Sequence, residues 1–192
     1  MEREALLKSL RSSSELKNAP EIGERPVLKV GSVGGGESAR FFRVMQFNTL
    51  AKALSSPEES AFERLEEGAL RWPARRARLL EEVAERDAHA VALEEVDDFA
   101  FFEARLAPLG YVGFHAPKPS SPCLRMRDNI GPDGTAVFVK QGGNSIALKN
   151  PTSFRLSLLL SFCSSNTIKR KVPIPILIRN FSSAAIDIHC IH

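Results

Sequence analysis

An α/β layered fold is what this 192-residue chain predicts, and three observations carry the expectation. Residues 41–48, Phe-Phe-Arg-Val-Met-Gln-Phe-Asn, mix β-branched and aromatic residues over the length of a strand. Ala77, Leu80, Val83 and Ala84 then repeat at helical spacing. Residues 88–93 follow as a short continuous apolar run, which suits a strand covered on both faces. Strand, helix, strand, and then another helix and strand, is the alternation of a layered α/β domain.

The elements follow in order. Residues 1–17 have the composition of a short helix, and residues 18–38, with Pro20, Pro26, Gly34, Gly35 and Gly36, read as a flexible linker. The folded part begins near Arg40, and Asn48 stands at the exit of the first strand. After a polar stretch over residues 55–68, Pro73 sits where a first helical turn tolerates proline, opening an amphipathic helix with its arginines outward. The second strand closes on Glu94 and Glu95. A helix over 98–106 and a strand over 111–115 come next. Residues 116–134, rich in Pro, Ser, Asn and Gly, form a long irregular loop of the kind that is more often functional than structural. Asp133-Gly134 reads as a turn whose glycine takes positive φ, and a strand resumes over 135–140. The expected division is residues 1–39 as helix and linker, 40–140 as the α/β portion, and 141–192 as a tail with no continuation of the pattern and little order.

Composition narrows the class. Hydrophobic residues make up 43% of the chain, enough for a core and too many for a disordered tail. The net charge of +3 conceals an asymmetry, since only one of the 23 acidic residues, Asp187, lies beyond Asp133. Cys123, Cys163 and Cys190 are odd in number, far apart and without a C-x-x-C pair, which encodes neither a disulfide framework nor a zinc ribbon. A reducing compartment, with the cytoplasm as default, is the expectation. Glu2 and Glu4 do not suit a secretory signal or an acid-poor mitochondrial presequence, although a mitochondrial address is the alternative. The longest apolar run, residues 156–163, is too short for a bilayer, so no membrane partner is expected. No stable protein partner is inferable.

Asn48 and Glu95 end two adjacent expected strands. In open α/β sheets the carboxyl edge of the strands is where ligands bind. A carboxylate there can ligate Mg²⁺, which takes oxygen ligands and commonly uses one or two carboxylates plus water and substrate phosphate. A carboxamide beside it can donate to a phosphate oxygen without adding charge. Each residue alone is ordinary strand-end chemistry; their pairing at one edge raises the functional reading.

Residues 43–51, Arg-Val-Met-Gln-Phe-Asn-Thr-Leu-Ala, the tryptophan-led helix from Trp72 to Glu82, and residues 92–97, Ala-Leu-Glu-Glu-Val-Asp, resemble the first motifs of the endonuclease/exonuclease/phosphatase superfamily in its deadenylase-like branch. Leu109-Gly110-Tyr111, then residues 117–123, Pro-Lys-Pro-Ser-Ser-Pro-Cys, and residues 129–138 narrow the resemblance to the nocturnin-type members. The match runs in order over roughly residues 41–140. It implies part of that superfamily's α/β sandwich and a Mg²⁺-dependent phosphoester hydrolase. The implied partner is a phosphorylated dinucleotide such as NADP(H), or an RNA 3′ end if the deadenylase reading holds. By the same resemblance Glu95 matches the metal-binding glutamate and Asn48 the asparagine at the scissile phosphate, the two together forming the catalytic pair. Lys118 matches a basic residue that touches substrate phosphate; read without the family it is a solvated loop lysine. Glu94 stands where the family usually has glutamine and adds a charge beside the proposed ligand. The resemblance also implies that Asp133-Gly134, besides forming a turn, shapes the floor of the substrate cleft.

The family completes its site with an aspartate paired with an asparagine and a serine-aspartate-histidine motif that supplies the base. Neither is found after Lys140, and Asp187-Ile188-His189 lacks the order of the second. Two histidines three apart, His189 and His192, without a fourth ligand are incidental. A lost base costs roughly 10²- to 10⁴-fold, so low or no activity is expected of these residues alone. The residues from Gln141 onward have three readings: an alternative or mis-spliced ending, a divergent second half, or a basic docking segment around Lys169-Arg170-Lys171. The first is favoured. A non-catalytic fragment or regulatory isoform is the corresponding alternative function.

Overall fold

In a computed structural model, residues 2–17, 19, 40–55, 62, 65, 68–141 and 184–191 are described. The chain order is α1 (Glu2–Ser12), α2 (Ser14–Lys17), β1 (Arg40–Asn48), α3 (Trp72–Arg86), β2 (Ala90–Val96), α4 (Phe99–Leu106), β3 (Tyr111–Pro117), β4 (Gly134–Lys140) and β5 (Ala184–Ile191). Short 3₁₀ turns lie at Lys52–Leu54, Ala107–Leu109 and Pro122–Arg125. The expected linker over 18–38, apart from Ala19, and the Lys169-Arg170-Lys171 cluster fall outside the described residues.

The five strands form one mixed sheet in the order β3-β4-β2-β1-β5. β1 pairs in parallel with β2 and with β5, and β4 is antiparallel to both β2 and β3. The parallel β1–β2 pair is joined through α3, as a parallel crossover requires. The sequence pattern showed no continuation after Gln141, yet residues 184–191 supply the edge strand, pairing from Arg40↔Ala184 to Phe47↔Ile191. Register over eight residues is a backbone relationship with a partner far earlier in the chain, which local periodicity does not report.

Two periodicities build the core. Met45 and Phe47 on β1, Val91 and Leu93 on β2, and Ala136 and Phe138 on β4 project to one face, where successive alternate residues of a strand must lie together. Ala77, Leu80, Val83 and Ala88 from α3 and its exit, with Phe102 and Leu106 from α4, cover that face. Burying each large aliphatic or aromatic side chain contributes about 1.5–3 kcal/mol. Pro73 sits in the first turn of α3, and Asp87 stops the helix in the left-handed region, its N–H bonded to the Val83 carbonyl. The N-terminal helices dock on α3 through Leu10 and Leu16, and Arg11 pairs with both Glu81 and Glu85. Among the described residues no helix is long and apolar enough to cross a membrane.

Two expectations need correction. Gly134 does not take positive φ: among the described residues the glycines that do are Gly68, Gly110 and Gly131. Gly134 is the first residue of β4, and what it requires is the absence of a side chain. An added Cβ would overlap the Ala116 carbonyl and stand 2.6 Å from Pro117 Cα. Nor are the α3 arginines all outward. Arg75 turns in toward the loop that follows β1, donating to three oxygens there.

Candidate functional site at the sheet edge

Because β1 and β2 are parallel, both leave the sheet at the same edge. Asn48 stands opposite Glu94 in register, and Asn48 Nδ2 donates to Glu95 Oε1 at 3.0 Å. The end of β2 is irregular, its pairing with β4 shifting between Leu93 and Val96. Glu95 sits in that shift with φ of 54°, a left-handed conformation rare for a residue with a Cβ. A bulge of this kind re-aims a side chain, and here the two successive glutamates part company. Glu94 Oε1 accepts from Gln46 Nε2 at 2.8 Å, whereas Glu95 meets Asn48. The extra charge at Glu94 is thereby engaged by a neutral amide of β1.

The backbone around the pair is tightly held. Thr49 Oγ1 donates within 2.9 Å of both the Glu94 and Glu95 carbonyls, and Thr49 N donates to Glu94 O at 2.9 Å. Leu50, with φ of 52°, returns its N–H to Asn48 Oδ1 at 2.8 Å. That bond settles which end of the carboxamide faces Glu95, since the oxygen is already taken. Just beyond, Asp97 is buried; Ala53 N donates to its Oδ2 at 3.3 Å, and burial pushes its carboxyl above the ordinary range.

Lys118 reaches the same edge by topology. The last residue of β3, Pro117, pairs with Gly134, and Gly134 pairs with Val96 at the end of β2. Lys118 is not a free loop lysine, however. Its Nζ lies 2.5 Å from Asp133 Oδ2, and its backbone N–H donates to the Asp133 carbonyl at 2.8 Å. Asp133 is wholly buried while the Lys118 side chain is 37% exposed, so the ammonium bridges interior and solvent. Ser121 Oγ donates to the other carboxylate oxygen at 2.5 Å and accepts from the N–H groups of Cys123 and Asp133. Burial raises the Asp133 carboxyl, but the bonds from Lys118 and Ser121 outweigh it, and the group titrates below its ordinary 3.8. The loop expected to be irregular over 116–134 is thus closed on itself by one buried carboxylate.

Asn48 and Glu95 are therefore in contact, and Lys118 lies at the same edge with its charge partly answered by Asp133. Sequence reasoning passed over Arg75 and Ser121 as site-shaping residues; for Asp133 the resemblance implied a place at the cleft floor, while its bonds to Lys118 and Ser121 were not foreseen. Among the described residues no group of three or more His, Cys, Asp and Glu side chains is placed to hold a metal ion. Glu95, a partly exposed carboxylate at an open edge, suits in kind a hard cation that takes its remaining oxygens from water and phosphate.

Residues 45–157, more than half of the chain, match the endonuclease/exonuclease/phosphatase family, and the chain belongs to that family. Within it the similarity is to nocturnins: human Nocturnin is 41% identical over 118 residues, 61% of this chain and 27% of that protein. The CCR4-Not complex 3′-5′-exoribonuclease subunit Ccr4 of Neurospora crassa is 38% identical over 76 residues, 38% of this chain and 10% of that protein. Among solved structures, the human Nocturnin catalytic domain with bound sulfate anion matches at 41% identity and a TM-score of 0.42, over 51% of this chain and 32% of that one. The chain spans about a quarter of the length of human Nocturnin. The family match also runs past Lys140, where the motif-by-motif resemblance ends.

Proposed function

We propose that this chain carries the first half of a nocturnin-like, metal-dependent phosphoester hydrolase site. The observation that carries the reading is the contact between the Asn48 amide and the Glu95 carboxylate at the carboxyl edge of two parallel strands. Metal dependence is general among nocturnin-like hydrolases of this family. We assign the metal as Mg²⁺, with Glu95 as its protein ligand. The bound ion would neutralise phosphate oxygens. Asn48 presents an N–H to the phosphate as it does to Glu95, and Lys118, with two donors left beyond Asp133, offers a further cation.

The proposed substrate is a phosphorylated dinucleotide such as NADP(H), cleaved at its phosphomonoester. Water oxygen bonds to phosphorus, the bond to the ribose oxygen breaks, and that oxygen takes a proton. The described residues supply the anchoring of phosphate and no general base for the water. We read these residues by themselves as a site of low turnover, and a non-catalytic, phosphate-binding isoform is the second reading. An RNA 3′ end is the third, motivated by the similarity to Ccr4.

The test is phosphate release from NADPH by the purified chain with Mg²⁺, beside shortening of poly(A), with Glu95→Ala as control. Release that Glu95→Ala abolishes supports the hydrolase. Magnesium-dependent binding of NADPH without release supports the isoform, and neither release nor binding overturns both.

A further inference from the structure

We infer that Arg75 is a positioning residue for Asn48, acting through the loop that joins β1 to the first 3₁₀ turn. The inference rests on Asn48 and Glu95 being the functional pair. Its basis is a chain of contacts that begins on α3. Arg75 Nη1 donates to the Thr49 carbonyl at 3.1 Å and the Leu50 carbonyl at 2.9 Å, and its Nη2 donates to Ser55 Oγ at 2.9 Å. One planar guanidinium therefore spans both ends of the loop from Thr49 to Ser55. Two nitrogens of a rigid planar fork reach these three oxygens at once, whereas the donors of a lysine ammonium all radiate from one nitrogen and do not reproduce that spread.

The consequence falls on Leu50. Its φ of 52° is costly for a residue with a Cβ, by roughly 1–2 kcal/mol, and such a conformation persists only where its surroundings over-determine it. The two carbonyls held by Arg75 flank the Leu50 N–H, and that N–H is the group bonded to Asn48 Oδ1. With the oxygen fixed, Nδ2 is the end of the carboxamide left to face Glu95. Releasing the guanidinium lets Leu50 relax toward negative φ, frees Asn48 Oδ1, and allows the carboxamide to turn over. An amide presenting its oxygen to Glu95 and phosphate would repel both.

The arginine itself is built in rather than solvated. It stacks over the Trp72 ring at 5.1 Å, and its charge is opposed by the buried Asp97 carboxylate beneath the same loop. Its place in the first turn of α3 lets that helix influence the pair through the residues that follow Asn48.

The experiment reads the Asn48 side-chain amide directly, by ¹H–¹⁵N NMR of the full chain, the resonance pair being identified by its loss in Asn48→Asp. In Arg75→Lys, folded by its cooperative thermal transition, the Asn48 pair is expected to move toward the position of an unrestrained carboxamide. Ser55→Ala, which removes one acceptor and no charge, is expected to move it the same way by less. If Arg75→Lys does not fold, Ser55→Ala decides alone. An Asn48 pair at its wild-type position in either folded variant overturns the inference. Phosphate release is scored separately. A chain that releases none yet shows the displacement keeps the positioning role and loses the hydrolase reading; hydrolysis with an unmoved Asn48 pair does the reverse.

Discussion

Asn48 Nδ2 and Glu95 Oε1 meet at 3.0 Å across the ends of two parallel strands, and the glutamate does so from a left-handed backbone conformation. A conformation costing about 1–3 kcal/mol, held at the one carboxylate proposed to ligate metal, is strain placed where function needs a side chain re-aimed. Replacing Glu95 with glycine separates the two. Glycine removes the strain but loses more conformational entropy on folding, roughly 0.5–1 kcal/mol, so Glu95→Gly is expected to match or slightly exceed the wild-type stability. Denaturant unfolding measures it, and the same variant should show no Mg²⁺ binding by calorimetry. A loss of more than about 2 kcal/mol would mean that the Glu95 side chain is structural.

Asp133 is wholly buried and holds Lys118 and Ser121. Asp133→Asn leaves the lysine without its counter-charge and disrupts the closure of the 118–133 loop. Breaking a buried pair costs about 3–5 kcal/mol, and since the ammonium is partly solvated we expect about 2–3 kcal/mol. Chemical unfolding of the variant checks this; a change below about 0.5 kcal/mol, the usual range of surface substitutions, would contradict it.

The same carboxylate sets an acid limb. Its folded-state pKa lies below the ordinary 3.8, so the ionised form is favoured by folding. The stabilisation is present above 3.8 and disappears as pH falls through the folded-state value. The stability gap between wild type and Asp133→Asn should hold steady from pH 7 to 5 and narrow on acidification toward pH 2. Urea unfolding across that range would show it, and a gap that widens in acid would reverse the sign assigned here.

Gly134→Ala tests how closely β3 and β4 approach beside the site. The new methyl would overlap the Ala116 carbonyl and crowd His115 Nε2 at 2.8 Å, and backbone cannot yield as a side-chain tip can. A loss of about 2–3 kcal/mol is expected, in the range of overpacked cores. Thermal unfolding measures it, and a variant as stable as wild type would mean that the two strands separate readily at this end.

Much of the framework was legible because it rests on local periodicity. The spacing of Ala77, Leu80 and Val83 marked α3, and the apolar run before Glu94 marked β2, since helix and strand repeats differ. Asn48 and Glu95 could be placed at one edge because parallel strands joined by a helix must leave the sheet on the same side. Arg75 was not legible: on an amphipathic helix an arginine reads as solvated, and nothing local tells that it reaches back 20 to 26 residues to a loop. Asp133 was legible only in part: its aspartate-glycine step reads as an ordinary turn, the resemblance puts it at the cleft floor, and neither reports the buried bonds to Lys118 and Ser121. β5 escaped because a pairing with β1 more than a hundred residues earlier leaves no local trace.

The central claim is that an oxygen-ligated divalent cation and a phosphate share the edge where Asn48 and Glu95 meet. Substituting Mn²⁺ for Mg²⁺ in the presence of NADPH, and recording the amide spectrum, tests it most directly, because the paramagnetic ion broadens whatever lies nearest. The account expects the Asn48 side-chain amide and the backbone N–H groups of Thr49, Glu95 and Val96 to broaden first, and that effect to vanish in Glu95→Ala. Broadening centred elsewhere, or unchanged by Glu95→Ala, would contradict it.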